Sequence, residues 1–312
     1  MGQELLRTGV RPRVSIGLPV FNGERFLSEA LDALLEQTFT DFEVIISDNG
    51  STDATAEICR AYAARDARIR YYRSETNNGA GWNFNRTVHL SRGEYFKWAA
   101  HDDAIEPAFI EKCVDVLDRE PSIVLCFSWL VDVDEHGNEL QVRKVQDKTQ
   151  SDLAQPQERF WGLVRRQHTC EEVFGLIRAD VLQRTKLIEN YSDSDRTLLV
   201  ELGLWGPFYE IPKVLFRHRL HGDASVAANP GWQERMAWFD PSLKGRLVFP
   251  AWRQLFGLLT VIWRSPISWK DRTYCMVPML RWMNRERPRL RGELVWAAKR
   301  LSSRIGRDGS GA

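Results

Sequence analysis

The sequence predicts an α/β protein in which a Rossmann-like, mostly parallel central sheet is flanked by helices and followed by a C-terminal helical extension. Two observations predict the sheet: short apolar runs alternate with helical patterns through the first 130 residues, and polar loops follow several of the runs. A third predicts the extension, because residues 241–312 hold 15 of the 43 Lys and Arg residues but 4 of the 42 Asp and Glu residues. We therefore divide the chain into an N-terminal tail (1–12), a main domain (13–240) and a basic, Trp-rich extension (241–312).

Six apolar runs predict the strands of the sheet. "VSIGLPV" (14–20) and "FEVIIS" (42–47) are continuous enough to be buried on both faces. The others are "IRYY" (69–72), "YFKWAA" (95–100), "IVLCFS" (123–128) and "VFGLI" (173–177). Because helical segments separate the first five runs, we expect their strands to be parallel.

The helices are predicted by apolar residues at helical spacing. The first is indicated by four residues at i, i+3, i+4 and i+7: Leu27, Ala30, Leu31 and Leu34. The second is expected to begin at "STD" (51–53), with Ser51 or Thr52 as its cap and Cys59 facing inward. Later helices are predicted from Ala179 and through 192–206, a turn at 134–138, and a loop over the polar stretch 145–158.

Several classes of protein do not fit the sequence. The N-terminus lacks the apolar core of a secretory signal. The longest apolar stretch, "LFGLLTVIW", has nine residues, whereas a membrane span needs about 20. The five cysteines are scattered, which is typical of reduced thiols and not of a disulfide framework or a zinc site. We expect the protein to work in the cytoplasm.

The extension has the composition of a membrane-contacting segment. Five of the twelve Trp residues lie in it, at 252, 263, 269, 282 and 296. Lys and Arg attract anionic headgroups, and indole rings favour the bilayer interface. We expect a peripheral contact with the inner face of a membrane, with packing on the main domain or a homodimer interface as alternatives. Nucleic acid is not an expected partner, because no stacking platform accompanies the arginines.

Three polar loops follow predicted strands: "FNGE", "SDNGSTD" and "HDD". Ligands of parallel sheets bind outside the carboxyl ends of the strands, so these loops should meet at one edge. Asp102 and Asp103 would repel each other there unless a cation lay beside them. A divalent metal that also binds phosphate oxygens meets that need, and a solvated loop or a helix cap near Pro107 is the alternative.

Four motifs, "PVFN" (19–22), "SDNGSTD" (47–53), "NNG" (77–79) and "AHDD" (100–103), occur in order within a region, about 13–225, that resembles the family 2 glycosyltransferases. These are inverting enzymes of the GT-A fold that use nucleotide-sugar donors. The resemblance implies that the nucleotide is contacted by Pro19, Phe21, Asn22, Asp48 and Asn77, with Asp48 bonding the base, typically uracil.

The resemblance also implies a metal site for Mn²⁺ or Mg²⁺. Asp102 matches the principal metal ligand, and Asp103 matches a carboxylate near the donor sugar. Ala100 departs from the family, which has an aspartate there. In "FRHRLHGDAS" (216–225), His221 would supply the missing ligand and Arg219 would neutralise phosphate charge.

An inverting transfer needs a base that takes the proton of the acceptor hydroxyl. By resemblance, the late acidic pair in "YSDSDRT" supplies it, with Asp195 as the candidate and Asp193 as the second choice. The alternative role for one of these aspartates is to cap the following helix.

The leading function is transfer of a sugar from a UDP- or dTDP-sugar to a glycan or lipid-linked acceptor in cell-surface polysaccharide or glycolipid synthesis. A nucleotidyltransferase that forms sugar nucleotides is one alternative, although "PVFNGERF" has a single Gly and a single Arg. A non-catalytic nucleotide- or glycan-binding scaffold at the membrane is the other, and Ala100 favours it. Contacts to donor sugar and acceptor are expected in 140–175, with His168 and Glu171 as candidates.

Overall fold

The structure, a computed structural model, describes residues 11–145, 151–165, 169–222, 228 and 231–308. Its strands are β1 (Val14–Val20), β2 (Phe42–Asp48), β3 (Ile69–Arg73), β4 (Tyr95–Trp98), β5 (Ala104–Ile105), β6 (Leu125–Val133), β7 (Glu139–Arg143), β8 (Leu176–Arg178) and β9 (Phe208–Arg219). They form one nine-stranded sheet in the order β3-β2-β1-β4-β8-β6-β9-β5, with β7 paired to β6.

One half of the sheet is parallel and the other half is mixed. β3, β2, β1 and β4 are parallel neighbours, as the sequence predicts. β8 is antiparallel to both β4 and β6, whereas β9 is parallel to β6. The fold class is confirmed, and the parallel arrangement holds for the half that carries the first motif loops.

Helices cover the sheet, so β1 and β2 are buried at every position. They are α1 (Leu27–Leu35), α2 (Thr55–Arg65), α3 (Ala80–Leu90), α4 (Phe109–Arg119), α5 (Pro156–Arg165), α6 (Ala179–Leu182), α7 (Ser194–Trp205), α8 (Trp232–Phe239), α9 (Pro250–Arg264) and α10 (Trp269–Asp308), with short 3₁₀ turns at Glu171–Phe174 and Pro241–Leu243. The four apolar residues predicted to face inward on α1 are all buried.

Three local predictions differ from the structure. α2 begins at Thr55, so neither Ser51 nor Thr52 caps it. The Ser51 hydroxyl instead accepts a hydrogen bond from the main chain of Asn22 at 3.0 Å, because the loop after β1 needs that acceptor. The run "VFGLI" is divided between the 3₁₀ turn and β8, and the end of the predicted loop 145–158 belongs to α5, which begins at Pro156. The helix predicted from Ala179 is present as a single turn.

Two buried charges hold the sheet together. Glu43 of β2 accepts hydrogen bonds from Ser15 (2.7 Å), Arg70 (2.8 Å) and Arg92 (2.7 Å). Burial opposes its ionisation, but these bonds outweigh burial and lower the pKa of its carboxyl.

Lys97 of β4 is 0% exposed. Its ammonium donates to the carbonyls of Trp98 (3.0 Å) and Phe174 and lies 4.8 Å from the centre of the Phe109 ring. Burial lowers the pKa of Lys97 to about 8. The residue therefore joins the end of β4 to the 3₁₀ turn before β8.

The extension packs on the main domain through α9 and α10, which contact α7 and α5. Apolar residues on one side of these helices belong to the main core, among them Leu255, Leu258, Val261, Met279 and Trp282. In the described ranges, no helix combines the length and apolarity that crossing a bilayer would require.

Candidate active site

The loops that follow β1, β2 and β4 meet at one edge of the sheet. The main chain of Thr52 donates to Oδ1 of Asn22 at 2.9 Å, which joins the loops after β2 and β1. A Cβ on Gly23 would lie 2.6 Å from Cδ2 of His101, so the loops after β1 and β4 are also in close contact. The carboxyl-end prediction is therefore confirmed for these three loops.

Asp48 is the last residue of β2 and is fully buried. Its Oδ1 accepts from the main chain of Ser51 at 2.8 Å, and its Oδ2 accepts from Tyr71 at 2.7 Å and lies 3.3 Å from Nε of Arg73. Burial, and after it the bond to Asp48, raises the pKa of the Tyr71 phenol. The carboxylate is thus held in one orientation by β3 and by the loop after β2.

The "NNG" loop lies next to Asp48 because Asn49 holds it. The Asn49 amide donates to Oδ1 of Asn77 at 2.9 Å and to the carbonyl of Gly79 at 3.1 Å, and its Oδ1 accepts from the main chain of Asn78 at 3.0 Å. Gly79 has φ 91° and lies against the carbonyl of Phe239, which a Cβ would approach to 2.3 Å. Asn49 therefore organises this loop.

The other predicted nucleotide contacts follow β1. Pro19 is buried within the strand, and Phe21 is exposed just after it. Asn22 has φ 52°, a left-handed conformation that asparagine adopts more readily than most residues. The exposed ring of Phe21 is free to present a face to a base.

Asp102 lies beside His221, and their role as metal ligands stays a prediction. Nε2 of His221 is 2.9 Å from Oδ2 of Asp102, although the two residues follow different strands, β4 and β9. Nδ1 of His221 is buried and has no hydrogen-bond partner among the described residues. The described ranges contain no group of three His, Cys, Asp or Glu side chains arranged to hold a metal.

Asp103 turns inward next to this pair. Its Oδ1 accepts from the main chain of Arg219 at 2.9 Å. Burial first, and then the neighbouring charge of Asp102, raises the pKa of the Asp103 carboxyl to about 7. A nearby cation would favour its ionised form.

Arg219 is buried against the protein. Nε donates to the carbonyl of Asp102 at 3.0 Å, and Nη1 lies 3.4 Å and 3.3 Å from the carbonyls of Asp134 and Glu135. Nη2 pairs with the carboxylate of Glu29 on α1. The predicted phosphate contact of Arg219 therefore stays a prediction, and the contacts seen here are structural.

A charged network lies next to Asp103 on the β6 side. Arg143 pairs with Asp132 (2.8 Å) and Glu171 (2.8 Å), and Nδ1 of His218 is 2.8 Å from Oδ1 of Asp132. His218 directly precedes Arg219, whose main-chain N–H donates to Asp103, so the network lies close to that carboxylate. Glu171, a predicted contact, belongs to this network, whereas His168 lies outside the described residues.

The two candidates for the base lie at the start of α7. Asp193 is the N-cap residue, with φ 67°, and its carboxylate pairs with Arg289 of α10 at 3.2 Å instead of capping the helix. Asp195 lies in the first turn. Burial, and after it the charge of Asp195, raises the pKa of the Cys170 thiol. The helix that carries Asp195, α7, contacts the 3₁₀ turn Glu171–Phe174, so it packs beside the charged network.

Comparison with known proteins gives a family and a fold. A family model described as Glycosyl transferase family 2 matches residues 15–191. Chondroitin synthase of Escherichia coli is 28% identical over 218 residues, which is 68% of this chain and 29% of that protein. The chain spans less than half the length of the curated relatives it matches.

Two solved structures share the fold. The structure of S. aureus TarS 1–349 in complex with UDP has a TM-score of 0.63 at 16% identity, covering 88% of this chain and 71% of that one. The mannosyltransferase PcManGT from Pyrobaculum calidifontis, in complex with GDP-Man and Mn²⁺, has a TM-score of 0.52 at 15% identity, covering 92% and 86%. At these identities the likeness concerns the fold, which is the expected GT-A fold.

Proposed function

The chain belongs to glycosyl transferase family 2, and on that premise we propose that it transfers a sugar, with inversion, from a nucleotide diphosphate to a hydroxyl group of a glycan or lipid-linked acceptor. The observation that carries the proposal is the pairing of Asp102 with His221 at the sheet edge where the loops after β1, β2 and β4 meet. A leaving diphosphate needs positive charge at such an edge.

The donor is a uridine or thymidine diphosphate sugar. Asp48 would accept a hydrogen bond from the N3–H group of the base, and Phe21 would stack on the ring, while Asn22 and Asn77 border the nucleotide. The orientation of Asp48 supports this role, because Tyr71 and Ser51 hold its carboxylate from two sides. UDP and GDP-Man are bound by the structural neighbours TarS and PcManGT, respectively.

Asp102 and His221 would hold a divalent cation. A carboxylate and an imidazole are ligands that Mn²⁺ accepts, and diphosphate and water would complete its shell. The close approach of His221 to Asp102 and the raised pKa of Asp103 fit a site that gains a positive charge. When bound, the cation supplies charge that stabilises the departing diphosphate.

Asp195 would take the proton of the acceptor hydroxyl as that oxygen attacks the anomeric carbon. Its position in the first turn of α7 supports this role, and Asp193 is committed to an ion pair with Arg289. The network of Arg143, Glu171 and Asp132 is joined to His218 through Asp132. We assign it to contacts with sugar hydroxyls.

The extension would contact an anionic membrane where lipid-linked acceptors lie. Its five Trp residues differ in exposure: Trp282 is buried in the core, whereas Trp263 and Trp269 are 56% and 71% exposed. These two rings contact each other at the α9–α10 turn, at 5.6 Å between centroids. Lys270 and Arg272 flank them, so aromatic and basic groups are combined at one tip.

The experiment is a transfer assay with a panel of UDP- and dTDP-sugars and surface-glycan acceptors, with the product anomer read by NMR. We expect an inverted product. Asp195→Asn should lower kcat about 10³-fold, as for loss of a general base, with UDP affinity retained, and Asp193→Asn is the matched control. A retained anomeric configuration, or an active Asp195→Asn variant, would contradict the proposal.

A further inference from the structure

Arg219 connects four segments around the proposed metal ligands. Its main-chain N–H donates a hydrogen bond to Oδ1 of Asp103, and its Nε donates one to the carbonyl of Asp102. The rest of the guanidinium faces the carbonyls of the β6–β7 turn and the carboxylate of Glu29. The side chain is 4% exposed, so its charge is compensated almost entirely by protein groups.

The start of α1 contacts both Arg219 and His221. The Phe26 ring lies 4.7 Å from the Arg219 guanidinium and 4.8 Å from the His221 ring, with an edge-on geometry to the latter. Glu29 is in the first turn of the same helix, of which Phe26 is the N-cap residue. α1 therefore fixes the positions of the arginine and the histidine together.

A buried guanidinium needs an anion, because an unpaired charge in a buried site is strongly unfavourable. The Glu29 carboxylate is ion-paired directly with the Arg219 guanidinium. Asp102 contacts this guanidinium through its main-chain carbonyl, and the Asp103 carboxylate accepts from the main-chain N–H of Arg219. If Glu29 lost its charge, the carboxylates of Asp102 and Asp103 would be the next available counter-ions. Arg219 would then compete with a cation for them.

We propose that Glu29 is a positioning residue for metal binding: it holds the Arg219 side chain so that the carboxylates of Asp102 and Asp103 stay available to a divalent cation. This inference rests on the proposed function, which assigns the cation to Asp102 and His221. Substituting a group that orients a metal ligand from outside the coordination shell typically lowers the metal affinity about 10–100-fold.

The chain offers a matched control on the same helix. Asp32, like Glu29, is a carboxylate of α1 that is ion-paired with an arginine, here Arg65 at 3.1 Å. The two carboxylates have similar exposure, 57% for Glu29 and 54% for Asp32. Glu29→Gln and Asp32→Asn therefore remove equal charge from equally accessible positions, and neither opens the core.

The test measures Mn²⁺ binding by electron paramagnetic resonance of the free ion, with and without UDP, and Tm by calorimetry. We expect Glu29→Gln to raise the Kd for Mn²⁺ about tenfold while it keeps a cooperative unfolding transition, and Asp32→Asn to bind as wild type does. Equal Kd values for Glu29→Gln and wild type would overturn this inference and leave the metal site intact. Equal weakening by both variants would also overturn it, and absence of Mn²⁺ binding to wild type would overturn the metal assignment itself.

Discussion

Replacing Lys97 with methionine should alter stability in a way that depends on pH. Folding lowers the pKa of this ammonium from 10.5 to about 8 because the side chain is fully buried. The folded value is below the unfolded value, so between about pH 8 and 10.5 the unfolded state binds more protons and the free energy of unfolding rises with pH. At about 1.4 kcal/mol per pH unit, charged Lys97 lowers the free energy of unfolding by about 3 kcal/mol at pH 7.

Lys97→Met removes that cost but also removes two hydrogen bonds, to the carbonyls of Trp98 and Phe174. Each lost bond to a buried carbonyl costs about 1–2 kcal/mol, so the variant should have nearly wild-type stability at pH 7. At pH 9.5 wild type should be more stable than the variant by about 2 kcal/mol, because most of the cost of charging Lys97 has by then gone.

Urea unfolding at pH 7 and pH 9.5 measures both differences. Lys270→Met is the control, because that ammonium stays in solvent and the difference from wild type should be the same at both pH values. A Lys97→Met difference that did not change with pH would refute the reasoning, since it would mean that burial does not alter the protonation of Lys97.

Three further outcomes are expected. Tyr71→Phe should weaken UDP binding about tenfold in calorimetry, because a hydrogen bond to a charged group contributes about 1.5–3 kcal/mol; Tyr62→Phe, which removes another phenol–carboxylate bond, should leave affinity unchanged. Glu43→Gln should lower the free energy of unfolding by about 3 kcal/mol at pH 7. Since the folded pKa of Glu43 is below its unfolded value of 4.5, that loss should disappear as the pH falls through the folded pKa, and a constant difference in acid urea titrations would refute this. Replacing Trp263 and Trp269 with alanine should reduce cosedimentation with vesicles rich in phosphatidylglycerol about tenfold, and equal binding at low salt would contradict the membrane contact.

Much of the parallel half of the sheet was predictable because its strands are continuous apolar runs. β1 has the bounds that its run predicts, since all seven of its residues are buried. The carboxyl-end rule then located the loops that carry Asp48 and Asp102. These signals are local in sequence, and no tertiary contact is needed to see them.

β9 could not be predicted in the same way. It contains Pro212 and several charged residues, and its register with β6 shifts between Ser128, which opposes Ile211, and Trp129, which opposes Val214. Proline is tolerated in a strand at such an irregularity. The strand exists because β6 and β5 lie on either side of it, so the reason for it is tertiary.

The partners of the site residues were also beyond sequence reasoning. Glu29 lies 190 positions before Arg219, and Asp132 lies 86 positions before His218. Each is an ordinary charged residue in its own segment, without spacing that predicts the contact. The parallel register of β6 and β9 sets Asp132 opposite His218 and brings this second pair together.

The most direct test of the account is calorimetry of UDP binding with and without Mn²⁺, on wild type and on Asp102→Asn. We expect UDP binding to strengthen with Mn²⁺ in wild type and not to respond to Mn²⁺ in the variant, because Asp102 would hold the cation that holds the diphosphate. UDP affinity that is independent of both Mn²⁺ and this substitution would contradict the proposed mechanism.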